Sequence, residues 1–183
     1  LKVRFSWREA LAMDITQEKV SAWMDMYFAA VRECIGPLEK VPELGKLFTE
    51  DFEFVYYTPP TTAEFTGKRA SREGLLMQMV HPGLREIIEP SYYAINLEKL
   101  IVCVRFNDRT VDETSGKDIV PPFQASAHYT LVPAEDTEFK IKLLEYWTEN
   151  QAPENIAITQ AAWFKNSKPA FEGIIFDWLK ARY

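Results

Sequence analysis

Histidine and cysteine are scarce: the 183-residue chain has 2 of each. A structural zinc site takes about four nitrogen or sulfur ligands at close spacing, so these residues are too few and too scattered to build one. Cys34 falls in a segment of helical periodicity and Cys103 in one rich in β-formers, both among apolar neighbours, so they read as buried thiols rather than a disulfide. No GxGxxG, phosphate-binding loop or GxSxG elbow occurs, which leaves nucleotide cofactors and nucleophilic acyl transfer without support; no cofactor is expected. Runs of Lys and Arg are missing too. With a formal net charge of −6 and a pI near 5.1, a nucleic-acid partner is not expected. No apolar run approaches the ~18 residues of a membrane span. The opening LKVRFSWREALAMD lacks an apolar signal core with a cleavage site, so a cytoplasmic location is expected.

What is abundant is aromatic surface, 14% of residues as 12 Phe, 8 Tyr and 5 Trp. Such side chains fill a core or line a pocket for apolar, ring-shaped ligands, and composition alone does not choose between them. Apolar residues at 47% and charged residues at 26% are ordinary for a globular protein and exclude wholesale disorder, collagen and coiled coil. The length fits a single domain, 1–183, with a core over about 14–150 and an extension over 151–183.

Val20, Trp23, Met24, Tyr27, Phe28, Val31 and Ile35 recur at helical spacing and predict a helix from about Thr16, its N-cap, to Ile35, ended by Gly36-Pro37. A short helix is expected over Glu43–Phe48. FEFVYY, 52–57, predicts a strand stopped by Thr58-Pro59-Pro60. Phe65-Thr66-Gly67 reads as a short edge piece, after which Ser71 caps a helix that His81-Pro82-Gly83 terminates. Three long strands are then expected, within 91–108, 120–133 and 139–150. In the second, Phe123, Ala125, Ala127, Tyr129 and Leu131 alternate with Gln124, Ser126, His128 and Thr130. Ser167-Lys168-Pro169 opens a last helix whose stripe, Phe171, Ile174, Ile175, Trp178 and Leu179, must dock on something. Helices followed by antiparallel strands predict an α+β fold.

Three segments carry a family resemblance: Leu47-Phe48-Thr49-Glu50-Asp51-Phe52, then Phe65-Thr66-Gly67, then the closing strand KIKLLEYW, 140–147. Over about 16–150 the chain resembles the nuclear transport factor 2-like superfamily, and within it the SnoaL-like group of small cyclases, isomerases and dehydratases. That resemblance implies a cone: a curved antiparallel sheet wrapped around N-terminal helices, a deep apolar pocket for a small hydrophobic molecule, and a homodimer formed through the sheet. The paired pocket histidines of scytalone-dehydratase-like members are not reproduced.

Glu145 is the leading titratable candidate. Strand alternation puts it with Ile141, Leu143 and Trp147, where lost hydration would raise its pKa and suit general acid or base work. An ion pair with a neighbouring strand, or the reverse assignment of faces, are the alternatives. His128 is a proton-shuttle candidate or an outer-sheet residue, and His81 a pocket-mouth residue or a helix-end cation. Tyr27 and Tyr57 are candidate hydroxyl donors, as in the oxyanion holes of ketosteroid-isomerase-like relatives. Asp51 lies where enzymatic relatives keep an acidic residue, and its alternative is a turn carboxylate. Trp23, Phe54, Tyr56, Met77, Phe123, Tyr129 and Trp147 are the expected ligand lining. The function expected is cofactor-free proton transfer on a small apolar carbonyl compound; the alternative is a non-catalytic binding or dimeric interaction module.

Overall fold

A computed structural model of the chain describes residues 15–35, 40–57, 68–79 and 83–149, with positions 152, 154, 155 and 158 beyond them. His81, the Phe65–Gly67 segment, the side chain of Met77 and the expected C-terminal helix lie outside the described residues.

Helix α1, Gln17–Cys34, follows the predicted stripe, with Val20, Trp23, Met24, Tyr27, Phe28, Val31 and Cys34 buried. Thr16 is its N-cap, its side chain accepting a hydrogen bond from the Lys19 amide at 3.3 Å. Helix α2, Val41–Gly45, is shorter than the expected Glu43–Phe48. Leu47 and Phe48 are drawn instead into the sheet, where the Ile141 amide donates to the Leu47 carbonyl at 2.9 Å, and β1 runs Phe48–Tyr57. Strand β2, Lys68–Ser71, leads into helix α3, Arg72–Gln78, and the Ser71 hydroxyl accepts from the Gly74 amide at 3.3 Å.

The stretch expected as one strand within 91–108 is a hairpin, so four strands follow α3 rather than three. These are β3, Leu84–Asn96; β4, Ile101–Asp112; β5, Phe123–Ala134; and β6, Glu138–Thr148. Asn96 makes the turn, its side-chain oxygen accepting from the Lys99 amide at 3.0 Å, and Leu100 takes a left-handed φ of 50°. Pro90 disguises β3. It is tolerated because β3 ends the sheet and carries a bulge between Pro90 and Tyr92.

The sheet order is β2-β1-β6-β5-β4-β3. It is the expected curved sheet of an α+β cone, mixed rather than wholly antiparallel because β1 and β6 pair parallel. Its concave face meets α1. Strand registers set the rows on that face: Val102, Tyr129, Leu144 and Phe54 in one, Val104, Ala127, Tyr146 and Tyr56 in the next, then Phe106, Ala125 and Thr148. Tyr27 of α1 packs edge-on to Phe28 at 5.2 Å and to Tyr129 at 5.5 Å between ring centres.

One irregularity re-aims β6. Its pairing with β5 jumps from Leu143 opposite Thr130 to Ile141 opposite Leu131, leaving Lys142 as the extra residue of a bulge. Phe139 and Ile141 point inward before the bulge, and Leu144 and Thr148 after it. Glu145 and Trp147 therefore face outward. This corrects the sequence expectation, which carried one unbroken alternation through Ile141 to Glu145 and Trp147.

Candidate functional site

Strands β3, β4, β6 and β1 bring an isolated polar cluster to the otherwise apolar concave face. Asp108 continues the inward alternation of Val102, Val104 and Phe106 along β4, and is 1% exposed. Glu86 reaches it from β3: Glu86 is paired with Thr110, Ile88 with Asp108, so the two carboxyls are diagonal neighbours on one face. The Tyr146 hydroxyl donates to Asp108 Oδ2 at 3.0 Å. The Tyr146 ring stacks on Tyr56 at 5.4 Å and meets Phe106 at 5.7 Å, giving the carboxyls an aromatic wall. Thr148 completes the cluster, its hydroxyl buried and without a hydrogen-bond partner among the described residues.

Burial governs the electrostatics. It pushes the Asp108 carboxyl up to about 6, against the opposing hydrogen bonds from Tyr146 and Glu86. Glu86 is raised well above the ordinary carboxylate range by burial first, then by the charge of Asp108 and its hydrogen bond to that residue. Two neighbouring carboxyls in an apolar surround do not both ionise near neutrality, and they titrate as a pair. Burial, followed by the charges of Asp108 and Glu86, lifts the Tyr56 phenol to about 12. Tyr146 is raised for the same leading reason. Asp108 is sealed, whereas Glu86, Tyr56 and Tyr146 keep part of their surface open.

Several predicted lining residues share this interior. Phe54, Tyr56, Phe123 and Tyr129 belong to the concave face, and Trp23 and Tyr27 to the buried face of α1. Trp23 closes one end, its indole N–H donating to the Thr137 carbonyl at 2.6 Å. Tyr27 is packed between Trp23, Phe28, Phe48 and Tyr129.

The remaining candidates gather on the convex face. Cys103, His128, Glu145 and Val55 form one cross-strand row there. Tyr57 donates to Glu145 Oε1 at 3.2 Å and stacks on Trp147 at 4.9 Å. His128 packs against Trp147 at 4.6 Å. Asp51 is exposed on β1, 3.5 Å from Lys142 Nζ, and its carboxyl is lowered first by the Thr49 hydroxyl. Sequence reasoning missed Glu86, Asp108 and Tyr146. The signal for Asp108 was present, an acidic residue in phase with Val102, Val104 and Phe106; that for Glu86 lay in the β3–β4 register.

A groove of about 590 Å³ lies elsewhere, between α1 and β3, with Asp25, Arg32, Tyr92 and Tyr93 among its lining. Its groups are mutually engaged: Tyr93 donates to Asp25 at 2.8 Å and Arg32 to the Ile88 carbonyl at 3.4 Å. Among the described residues no group of His, Cys, Asp and Glu is arranged to hold a metal, and no helix is long and apolar enough to cross a membrane.

No family model matches the chain, and no curated protein matches it. Solved structures do. ActVI-ORFA from Streptomyces coelicolor superposes with a TM-score of 0.52 at 14% identity, covering 72% of this chain and 96% of that one. Nuclear transport factor 2 from Cryptosporidium parvum gives 0.51 at 13%, covering 72% and 94%. A nuclear transport factor 2-like protein with a cystatin-like fold from Novosphingobium aromaticivorans gives 0.51 at 12%, covering 82% and 92%. This chain has the nuclear transport factor 2-like fold. Within this nuclear transport factor 2-like cone, the Glu86–Asp108 pair occupies the concave side, and the Tyr57–Glu145–Trp147–His128 cluster the opposite face of the same sheet.

Proposed function

We propose that the chain is a cofactor-free enzyme of the SnoaL-like type, moving protons on a small apolar or polycyclic carbonyl compound in isomerase, cyclase or dehydratase chemistry. The observation that carries this reading is the Glu86–Asp108 pair, hydrogen-bonded to Tyr146 and walled by aromatic rings on the concave face. A pair that holds one proton near neutrality can give it to a carbonyl oxygen and take another from the adjacent carbon. Aromatic walls suit a flat apolar ligand. The likeness in fold to a Catenulispora acidiphila protein solved in complex with S-DNPA, TM-score 0.51 at 15% identity, agrees with a ligand-holding cone. Glu86 and Asp108 take the place first given to Glu145. Tyr27 contributes to the wall.

The test is exchange of solvent deuterium into the α-carbons of a panel of cyclic and polycyclic ketones, read by mass spectrometry. The wild type is expected to catalyse exchange on at least one ketone. Glu86→Gln and Asp108→Asn should each slow it roughly 100-fold or more, while His128→Gln leaves it unchanged. Unaltered exchange in both acid-pair variants would overturn the assignment.

The alternative, a binding module without turnover, draws on the dense packing of Trp23, Tyr27, Phe28, Phe106 and Tyr129 within the cone. Tight ketone binding with no exchange on any member of the panel would favour it. For the convex cluster we propose a contact between two copies of the chain, since Tyr57 and Trp147 present a stacked, partly open aromatic surface beside the Arg105–Glu149 ion pair. Trp147→Glu is expected to convert a sedimenting dimer to monomer; a wild type that sediments as a monomer refutes the contact.

A further inference from the structure

Within the acid pair, the two carboxyls are placed unequally. Asp108 is sealed, and its Oδ2 already receives the Tyr146 hydroxyl proton at 3.0 Å. Asp108 Oδ1 has no hydrogen-bond partner among the described residues, and the register makes Glu86 its diagonal carboxyl neighbour on the same face. Two carboxyls side by side in an apolar surround do not both stay charged, so one of them carries a proton. Tyr146 stabilises a charge on Asp108, and no comparable donor serves Glu86 among the described residues, so the proton resides on the glutamate. Glu86 also keeps part of its surface open, whereas Asp108 does not.

We propose that Glu86 is the protonated, ligand-facing member of the pair and the catalytic acid, and that buried Asp108, held by Tyr146, is a positioning residue that keeps the proton on Glu86. This division of labour rests on the proton-transfer reading above. It orders the step. The Glu86 O–H bond breaks as its proton goes to the ligand carbonyl oxygen, the α C–H bond breaks, and that proton returns to the carboxyl pair. A ketone becomes its enol, no electrons are lost or gained, and the pair ends with the one proton it began with. Tyr146 does not supply an oxyanion donor here, because its hydroxyl proton is committed to Asp108. The titratable groups facing Glu86 are Tyr27 from α1, Tyr56 from β1, Asp108 from β4, Tyr129 from β5 and Tyr146 from β6. All four phenols are raised by burial, so they stay neutral across the range in which the pair titrates.

Carbon-13 NMR of carboxyl-labelled protein, titrated from about pH 4 to about pH 9, reads the location of the proton directly. In the wild type, Asp108 is expected to ionise first and Glu86 to remain protonated through neutrality. In Asp108→Asn the Glu86 midpoint should fall by about one unit, a tenfold loss of proton affinity, because the repelling charge is gone. Tyr146→Phe should raise the Asp108 midpoint and draw the two titrations together. The wild-type titration decides the matter even where a variant fails to fold. Glu86 ionised beside a protonated Asp108 at neutral pH overturns the proposal, as does a Glu86 midpoint unmoved in folded Asp108→Asn. Since the titration needs no ligand, a null exchange assay and a misplaced proton are distinguishable failures.

Discussion

Asp108 and Glu86 bind protons more tightly in the folded chain than in the unfolded one, because burial disfavours their charged forms. Linkage then fixes the sign. Between the ordinary aspartate value of 3.8 and the folded value of about 6, the native state holds more protons, so stability falls as pH rises, and Glu86 extends that fall upward. Each unit of difference amounts to about 1.4 kcal/mol. Asp51, Asp112 and Asp136 act in the opposite sense, since hydrogen bonds hold their carboxyls low; their contribution is lost only as pH drops below the ordinary aspartate value. Urea titrations are therefore expected to show the wild type losing a few kcal/mol between about pH 4.5 and about pH 7, with Asp108→Asn flattening part of that slope and Glu86→Gln more of it. A wild-type stability that climbs across the interval would contradict the assignment of the pair.

At the scale of elements, local rules served wherever one element decided its own faces. The buried stripe of α1 follows from helical spacing, and the inward set of β5 from strict alternation, which also put His128 on the opposite face. Alternation failed on β6 because the bulge at Lys142 is a property of its pairing with β5, and nothing within KIKLLEYW announces it. β3 contains Pro90, whose missing N–H removes no ladder bond at the end of a sheet. Glu86 and Asp108 were passed over because a carboxylate in a strand ordinarily points to water, and only the β3–β4 register brings the two together. A prediction also belongs here. Thr16→Ala removes the capping bond at the start of α1 and is expected to lower stability by about 1 kcal/mol in urea titrations, leaving the β3–β6 amide signals in place. An unchanged midpoint would mean that the cap contributes nothing.

For the molecule as a whole, the order of elements forecast an α+β fold and the family resemblance a cone of helices and curved sheet, and the solved structures share that fold at 12–14% identity. What order could not forecast is which polar groups the cone would enclose, because that is settled by strands distant in sequence. The parallel β1–β6 pair joins the first described strand to the last and places Tyr56 beside Tyr146, giving the acid pair its aromatic wall.

The open sheet has a second consequence, at the strand that ends it. A free β edge is a template on which further chains can add, and long regular edges invite fibrils. Pro90 withholds one amide from the outer side of β3, and the adjoining bulge bends the strand out of the flat register that an incoming chain needs. The kink thereby guards solubility. Pro90→Thr is expected to leave the fold intact by circular dichroism, yet to shorten the lag before thioflavin-positive aggregation on gentle heating; an unaltered lag would show that the edge is protected by something else.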